Sequence, residues 1–367
     1  MSRPFVFGNQ AYSAYMSKKI RVAILFGGKS AEHEVALKSA RNVAEAIDKN
    51  KYDVILIGID KSGKWLSPDT SATLIDSESI PATEHTGITL APGSNGEIDG
   101  IGKIDAVFPV LHGTFGEDGT VQGLLRLANV PFVGPGVLGS AVGMDKDVMK
   151  RLLRDAGIPI GKFLVATETD PISYEQGEAE LGVPLFIKPA NLGSSVGVNK
   201  VENESEYTAA VTEALQFDTK VMIEEFIDAR EIECSVLGNE NPIASVPGEI
   251  IIHSDFYSYD AKYLDDKASS IQIPADLSED IKARVQEIAI RAYKVLCCEG
   301  MGRVDTFVTR DGRVLVNEIN TIPGFTNISM YPKMWEASGI SYSDLIDRLI
   351  QLAIERFDKQ TKLRTSK

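Results

Sequence analysis

The sequence predicts an α/β fold: a parallel-sheet, Rossmann-like first domain followed by two domains of α+β character. Three observations predict it. Near the start, the apolar run IRVAILF passes through GGKS into a helix-periodic stretch and then a second apolar run, YDVILIGID, the strand–helix–strand signature of a parallel pair. From Asp145 the pattern changes to an amphipathic helix followed by short strand-like runs, GKFLVA and PLFIKPA. In the last third an Asp-Gly pair, Asp311-Gly312, lies between β-branched apolar runs, the strongest short-range signal of a β-hairpin.

Taken in order, residues 1–18 form an N-terminal extension expected to be flexible, with no apolar segment of the kind a secretory signal carries and a second methionine, Met16, as an alternative start. The first domain spans 19–134. Ser30 is the expected N-cap of its first helix, where Ala36, Ala40, Val43, Ala44 and Ile47 recur at helical spacing. A polar, turn-rich stretch follows the second strand and is read as peripheral. IDAVFPVL is a third buried strand, before HGTFGEDGT and a helix over 121–128. The second domain spans 135–224, opening with a helix marked by Val148, Met149, Leu152 and Leu153. A third, 225–360, holds strands, a Tyr-rich loop, a helix over 279–296, the hairpin and a closing helix over 343–357, with 361–367 as a tail.

Composition narrows the function. The 367 residues are 43% hydrophobic and 25% charged, ordinary for a globular chain of two or three domains. A net charge of −14 argues against nucleic acid or an anionic membrane as partner, since both require clustered Lys and Arg. Three cysteines, two adjacent (Cys297, Cys298), make neither a disulfide framework nor a metal-ligand spacing, and no apolar run has membrane-spanning length. A cytoplasmic protein is expected.

The hairpin RVDTFVTRDGRVLVNEIN poses the chemical question. With Asp311 and Gly312 as a two-residue turn, Arg310 pairs with Arg313, Asp305 falls opposite Glu318 and Arg303 opposite Asn320, all four on one face. Opposed carboxylates repel, so the pair calls for a raised pKa or a cation. Oxygen donors without His or Cys suit Mg²⁺ or Mn²⁺. A solvated acidic edge hairpin is the plain alternative.

Other motifs carry the same double reading. AILFGGKS has a loose P-loop spacing, but residues 23–25 are needed inside the strand, leaving too short a loop to wrap a phosphate. Glu32 is placed in the first turn of the following helix, at the carboxyl end of a parallel strand where such sheets bind ligands; favourable charge–dipole placement would equally explain it. KPANLGSSVGV, resuming as strand at Val196, brings Lys188 and a Gly/Ser loop together as a phosphate holder or a plain turn. Glu224, Glu225 and Glu231 on or beside strands can accept ribose hydroxyls or simply be solvated. YSYDAKYLDD has the character of a lid carrying Lys262 and Tyr263, or of a surface loop. In NEINTIPGFTNISM a free Gly324 N–H can face an oxyanion, with Thr326 and Ser329 as small donors beyond it.

The order GGKSAEHEV, HGTFGEDGT, MDK, KPANLGSSVGV, EEFI, REIECSV, YDAKYL, GRVDTF and NEINTIPGFT resembles the D-alanine:D-alanine ligase family of the ATP-grasp superfamily, over nearly the whole chain from Lys19. The resemblance implies two ATP-grasp domains that sandwich ATP, with two Mg²⁺ or Mn²⁺ ions on Asp305, Glu318 and Asn320. It implies nucleotide contacts at Lys146, Lys188, Glu224, Glu225, Phe226, Ile227 and Glu231, with Ser195 and Lys262 at the phosphates. Glu32 would hold the ammonium of the first D-alanine in a network with Ser194 and Tyr263, and His112 would lie near its carboxylate. Arg303 and the Gly324 N–H would stabilise the oxyanion, and Ser329 would take the second carboxylate. A homodimer is implied as well. The family motifs do not cover residues 1–17.

The reaction so implied is ATP-dependent ligation of two D-alanines through an acyl phosphate, for peptidoglycan precursor synthesis. The alternatives are another ATP-grasp carboxylate–amine ligase, a D-alanine:D-lactate ligase, disfavoured by Tyr263, and a non-enzymatic two-lobed binding protein with a Ca²⁺-stabilised hairpin.

Overall fold

The structure is a computed structural model that describes residues 19–82, 87–193, 196–252 and 269–364. Its first unit is a three-stranded parallel sheet in the order β2–β1–β5. Strand β1 (Ile20–Gly27) is followed by helix α1 (His33–Ala46), β2 (Tyr52–Ile59) and α2 (Pro68–Leu74). The small β3 (Glu97–Ile98) and β4 (Gly102–Lys103) form a separate ribbon before β5 (Ala106–Val110) and α3 (Thr120–Leu127). The buried runs Val22–Phe26 and Ala106–Val110 carry no polar alternation because helices cover both faces, as parallel sheets require. β1 extends to Gly27, so no phosphate-wrapping loop precedes α1.

Ser30 is not the N-cap of α1: Glu32 holds that position, with no side-chain cap bond. The Ser30 hydroxyl instead accepts the Glu32 N–H at 3.1 Å and donates to the His112 carbonyl at 2.8 Å, tying the β1–α1 turn to the end of β5. The turn is tight: Gly27 has φ +87°, and a Cβ there would lie 2.3 Å from the Ile59 carbonyl oxygen. The stretch read as peripheral contains α2, capped by Ser67, which pattern alone misses because its apolar positions are few.

Helices α4 (Val137–Met144) and α5 (Lys146–Asp155) come next. Then follow β6 (Phe163–Thr167), α6 (Tyr174–Leu181), β7 (Leu185–Pro189), β8 (Asn199–Val201), α7 (Glu204–Ala214) and β9 (Lys220–Glu225), whose strands form a sheet in the order β6–β9–β7–β8. β8 begins at Asn199, beyond the expected resumption at Val196. Met149 and Leu153 of α5 pack with Ile232, Val304 and Val316 in the core of the last sheet, although the expected boundary at 135 assigns α5 to the central domain.

That last sheet runs β13–β12–β10–β14–β15, with β11 beside β10. It comprises β10 (Ala229–Gly238), β11 (Ile243–Ala244), β12 (Gly248–Ile252), β13 (Ser269–Gln272), β14 (Gly300–Thr309) and β15 (Val314–Asn320). Helix α8 (Glu279–Val295) covers one face, while α9 (Met330–Ala337) and α10 (Tyr342–Thr361) join this unit to the first. Tyr331, Trp335 and Leu349 share one core with Phe26 and Phe108 of the first sheet.

Candidate active site

The hairpin β14–β15 pairs Asp305 with Glu318 and Arg303 with Asn320, by a different route from the one counted on the sequence. Thr309, not Arg310, closes the turn with Arg313, its carbonyl accepting the Gly312 N–H and its N–H donating to the Arg313 carbonyl at 3.0 Å. Only Gly312 of the turn has positive φ, +80°, whereas a two-residue turn of the expected type requires two such residues. The register then shifts between Asp305 and Thr306, where Asn317 is an extra residue on β15. The longer turn and the bulge cancel. The bulge also matters for side: Val316 is fully buried in the core, and two residues on Glu318 faces the opposite way with Asn320.

β10 pairs with the other edge of β14 and brings Glu233 opposite Asp305, a position that no local pattern in the sequence reveals. Arg303 bridges them: its guanidinium donates to Asp305 at 2.7 and 2.8 Å and lies 2.9 Å from Glu233. Burial alone would lower the guanidinium pKa, but Asp305 and Glu233 outweigh it and hold it well above its ordinary value. The Asn320 amide donates to Asp305 at 2.8 Å. Across the cleft, Lys146 lies 3.2 Å from Glu318 and donates to the Leu192 carbonyl at 2.9 Å. Asp145 positions it by capping α5, accepting the Asp147 and Val148 N–H groups at 3.1 Å each.

On the central sheet Glu224 sits between two ammonium groups, 3.0 Å from Lys150 and 2.7 Å from Lys188. Burial would push its carboxyl up, yet the two lysines hold it at about 2. Lys188 is raised in turn: burial works against it, but Glu224 and Glu318 prevail, with Glu231 adding to them. Lys150 was not singled out in the sequence, although its four-residue spacing from Lys146 places both on one face of α5. Glu225 turns away, accepting the Lys162 N–H at 2.7 Å. Phe226 is half exposed beside Phe186, and Ile227 follows it at the turn between the two sheets.

At the mouth of the first unit, the Glu32 carboxylate lies against two glycines. A Cβ on Gly113 would come within 2.7 Å of Glu32 Oε2 and one on Gly193 within 3.3 Å, so the first and central units converge on this group. His112 is buried, its Nδ1 at 3.0 Å from the Ile322 carbonyl and its Nε2 at 3.2 Å from Ser39 Oγ. Ser329 Oγ accepts the Thr326 N–H at 2.9 Å, and a Cβ on Gly324 would come within 2.7 Å of it. Ser194, Ser195, Lys262 and Tyr263 lie outside the described residues.

Oxygen donors on one wall, ammonium groups on the other, and an arginine beside the carboxylates define a class of site suited to an anionic ligand that carries cations. The comparisons sharpen that class. Residues 21–135 match the family model for the D-ala D-ala ligase N-terminus and residues 152–351 that for the C-terminus. The chain is 54% identical to the D-alanine--D-alanine ligase of Shouchella clausii, over 96% of this chain and 99% of that one. The structure of the D-alanine-D-alanine ligase from Coxiella burnetii superposes with a TM-score of 0.83 at 42% identity, covering 94% of this chain and 97% of that one. The VanG D-Ala:D-Ser ligase from Enterococcus faecalis does so with a TM-score of 0.80 at 39% identity, covering 92% and 100%. The chain belongs to the D-alanine–D-alanine ligase family.

Proposed function

We propose that the chain joins two D-alanine molecules into D-alanyl-D-alanine, consuming ATP and releasing ADP and phosphate, as a step of peptidoglycan precursor synthesis in the cytoplasm. The observation that carries the proposal is the contact of two oppositely biased walls: Lys146 on α5 meets Glu318 of the hairpin at 3.2 Å, beside Lys188 and Asp305. A triphosphate carrying divalent cations complements both walls. The reading includes three domains, 19–134, 135–224 and 225–360, with ATP between the last two, and a homodimer.

Asp305, Glu318 and Asn320 offer three oxygen donors on one face, a set that fits Mg²⁺ or Mn²⁺ once the Asn320 amide presents its oxygen. Bound there, two such ions would neutralise polyphosphate charge. The protein's own groups do the rest. Lys146 and Lys188, with Ser195 and Lys262, hold the phosphates, while Glu224 to Ile227 and Glu231 take the adenosine. Glu32 receives the ammonium of the first D-alanine, with Ser194 and Tyr263 completing that network.

A carboxylate is a poor electrophile, so it is first phosphorylated; the second D-alanine's amine then attacks the acyl phosphate and phosphate leaves. In-line transfer requires alignment and charge neutralisation more than covalent help. The tetrahedral intermediate develops an oxyanion, which Arg303 and the Gly324 N–H stabilise, while Ser329 orients the attacking amino acid. The decisive assay measures phosphate and dipeptide from ATP and Mg²⁺ with D-alanine, with L-alanine, and with D-alanine plus D-lactate or D-serine. Turnover with D-alanine alone and no depsipeptide is expected. Phosphate release only with a mixed pair would replace the substrate assignment, and none at all would remove it.

A further inference from the structure

Gly324, the proposed oxyanion donor, sits on a loop suspended from the first domain. The Ile322 peptide is gripped at both ends: its N–H donates to Glu117 Oε1 at 3.1 Å, and its carbonyl meets His112 Nδ1 at 3.0 Å. Three residues on, the Phe325 N–H donates to Ser39 Oγ at 3.2 Å, and its carbonyl accepts from Asn42 Nδ2 at 3.0 Å and Tyr342 OH at 2.7 Å. Ser39 Oγ lies 3.2 Å from His112 Nε2.

The proton positions follow from donor chemistry. A carbonyl oxygen only accepts, so His112 Nδ1 carries the hydrogen and, in the neutral ring, Nε2 is an acceptor. The Ser39 hydroxyl fills that acceptor while its oxygen takes the Phe325 N–H. One unbroken relay therefore runs from Phe325 through Ser39 and His112 to Ile322, bracketing Gly324. Ser39 is fully buried, His112 and Glu117 nearly so, whereas Gly324 is half-buried. Glu117 Oε2 closes the bracket by accepting the Gly113 N–H at 2.8 Å. Burial favours the neutral ring by lowering the His112 pKa.

We propose that Ser39, acting with His112 and Glu117, is a positioning residue that aims the Gly324 N–H at the tetrahedral intermediate, and that His112 serves this loop and not the substrate carboxylate directly. The proposal rests on the ligase reading. A donor suspended this way affects the transition state far more than the bound substrates, because only the former carries the oxyanion.

The test is Ser39→Ala and Ser39→Thr in the full chain, with Glu117→Gln as a second route. Kinetics are read with ATP and D-alanine, and binding with ADP and with a dipeptide analogue bearing a tetrahedral phosphinate at the reacting carbon. For Ser39→Ala, kcat and phosphinate affinity are expected to fall together by roughly 10- to 100-fold, while ADP affinity and the KM for ATP stay within about twofold. Ser39→Thr, which keeps the hydroxyl, is expected to recover most of both. Unchanged kcat overturns the proposal, as does an equal loss of ADP and phosphinate binding, the mark of general disorder. If Ser39→Ala does not fold, Glu117→Gln decides on the same readouts. A wild-type chain that forms no dipeptide overturns the ligase reading and the latch with it.

Discussion

Two charge clusters meet in the cleft, and they are biased in opposite directions. On the C-terminal sheet Glu233, Asp305 and Glu318 stand against Arg303 and Lys146. On the central sheet Glu224 stands between Lys150 and Lys188. Close pairing does not by itself make either cluster stabilising, since desolvating charges costs several kcal/mol per ion. The difference in composition is what instructs: a carboxylate-rich side suits added cations, and a lysine-bearing side suits phosphate oxygens.

The largest expected effect breaks the acidic side. Asp305→Asn and Glu318→Gln, made separately, should each lower kcat by about 10²-fold or more while leaving the chain folded, because a site for developing charge is removed without opening a cavity. Phosphate release assays and thermal unfolding together check both halves of the statement. Chelation with EDTA should abolish turnover, with Mg²⁺ or Mn²⁺ restoring it. A folded Asp305→Asn variant at full activity would reduce the acidic cluster to a structural feature.

The basic side is sharpened by Lys150→Met, which keeps the side-chain volume but leaves Glu224 with Lys188 alone. Lys188 is then less free to meet a phosphate, so the KM for ATP should rise by roughly tenfold, or 1.4 kcal/mol in the corresponding free energy, with kcat changed less. The same variant should alter acid stability. Glu224 is held at about 2, below its ordinary 4.5, so its ionised form stabilises the fold above pH 4.5, and that contribution is lost as the pH falls toward about 2. Without Lys150 the folded-state value rises and the loss is complete at a higher pH. Followed from pH 7 to about pH 3, the fall in unfolding midpoint that Glu224 supplies should therefore begin near pH 4.5 in both chains, but level off at a higher pH and with a smaller total loss in the variant. Superimposable profiles would mean that Lys188 alone sets the charge of Glu224.

How far such clusters are legible in the sequence depends on the distance between their members. Asp305, Glu318, Arg303 and Asn320 lie on one hairpin, and a turn signal with alternating residues was enough to bring them together, even though a longer turn and a bulge replaced the simple register. Lys150 was within reach of the same reasoning, one helical turn from Lys146. Glu233 was not, because no turn residue announces that β10 pairs with β14. Ser39 was least legible of all: a serine inside a helix that bonds a backbone N–H 286 residues away leaves no trace in local periodicity. The expected Ser30 cap failed for a related reason, since a competing partner, the His112 carbonyl, comes from the segment just beyond β5.

The smallest expected effect tests whether the hairpin's tip and its acidic end are independent. Gly312 occupies the single left-handed position of the turn, at φ +80°, and a Cβ there would lie 3.3 Å from Ile281 Cδ1 of α8. Gly312→Ala should therefore cost about 1 kcal/mol of stability from backbone strain, plus a slight shift of the Ile281 side chain. The KM values and metal dependence should not move. Between the turn and Glu318 lies the Asn317 bulge, where one strand carries an extra residue, and a ladder interrupted in this way absorbs small displacements locally. Thermal unfolding should register the substitution and steady-state kinetics should not. A drop in kcat as large as that of Glu318→Gln would show instead that turn geometry is transmitted through the bulge, and that the register of the whole hairpin, not its acidic end alone, holds the carboxylates in place.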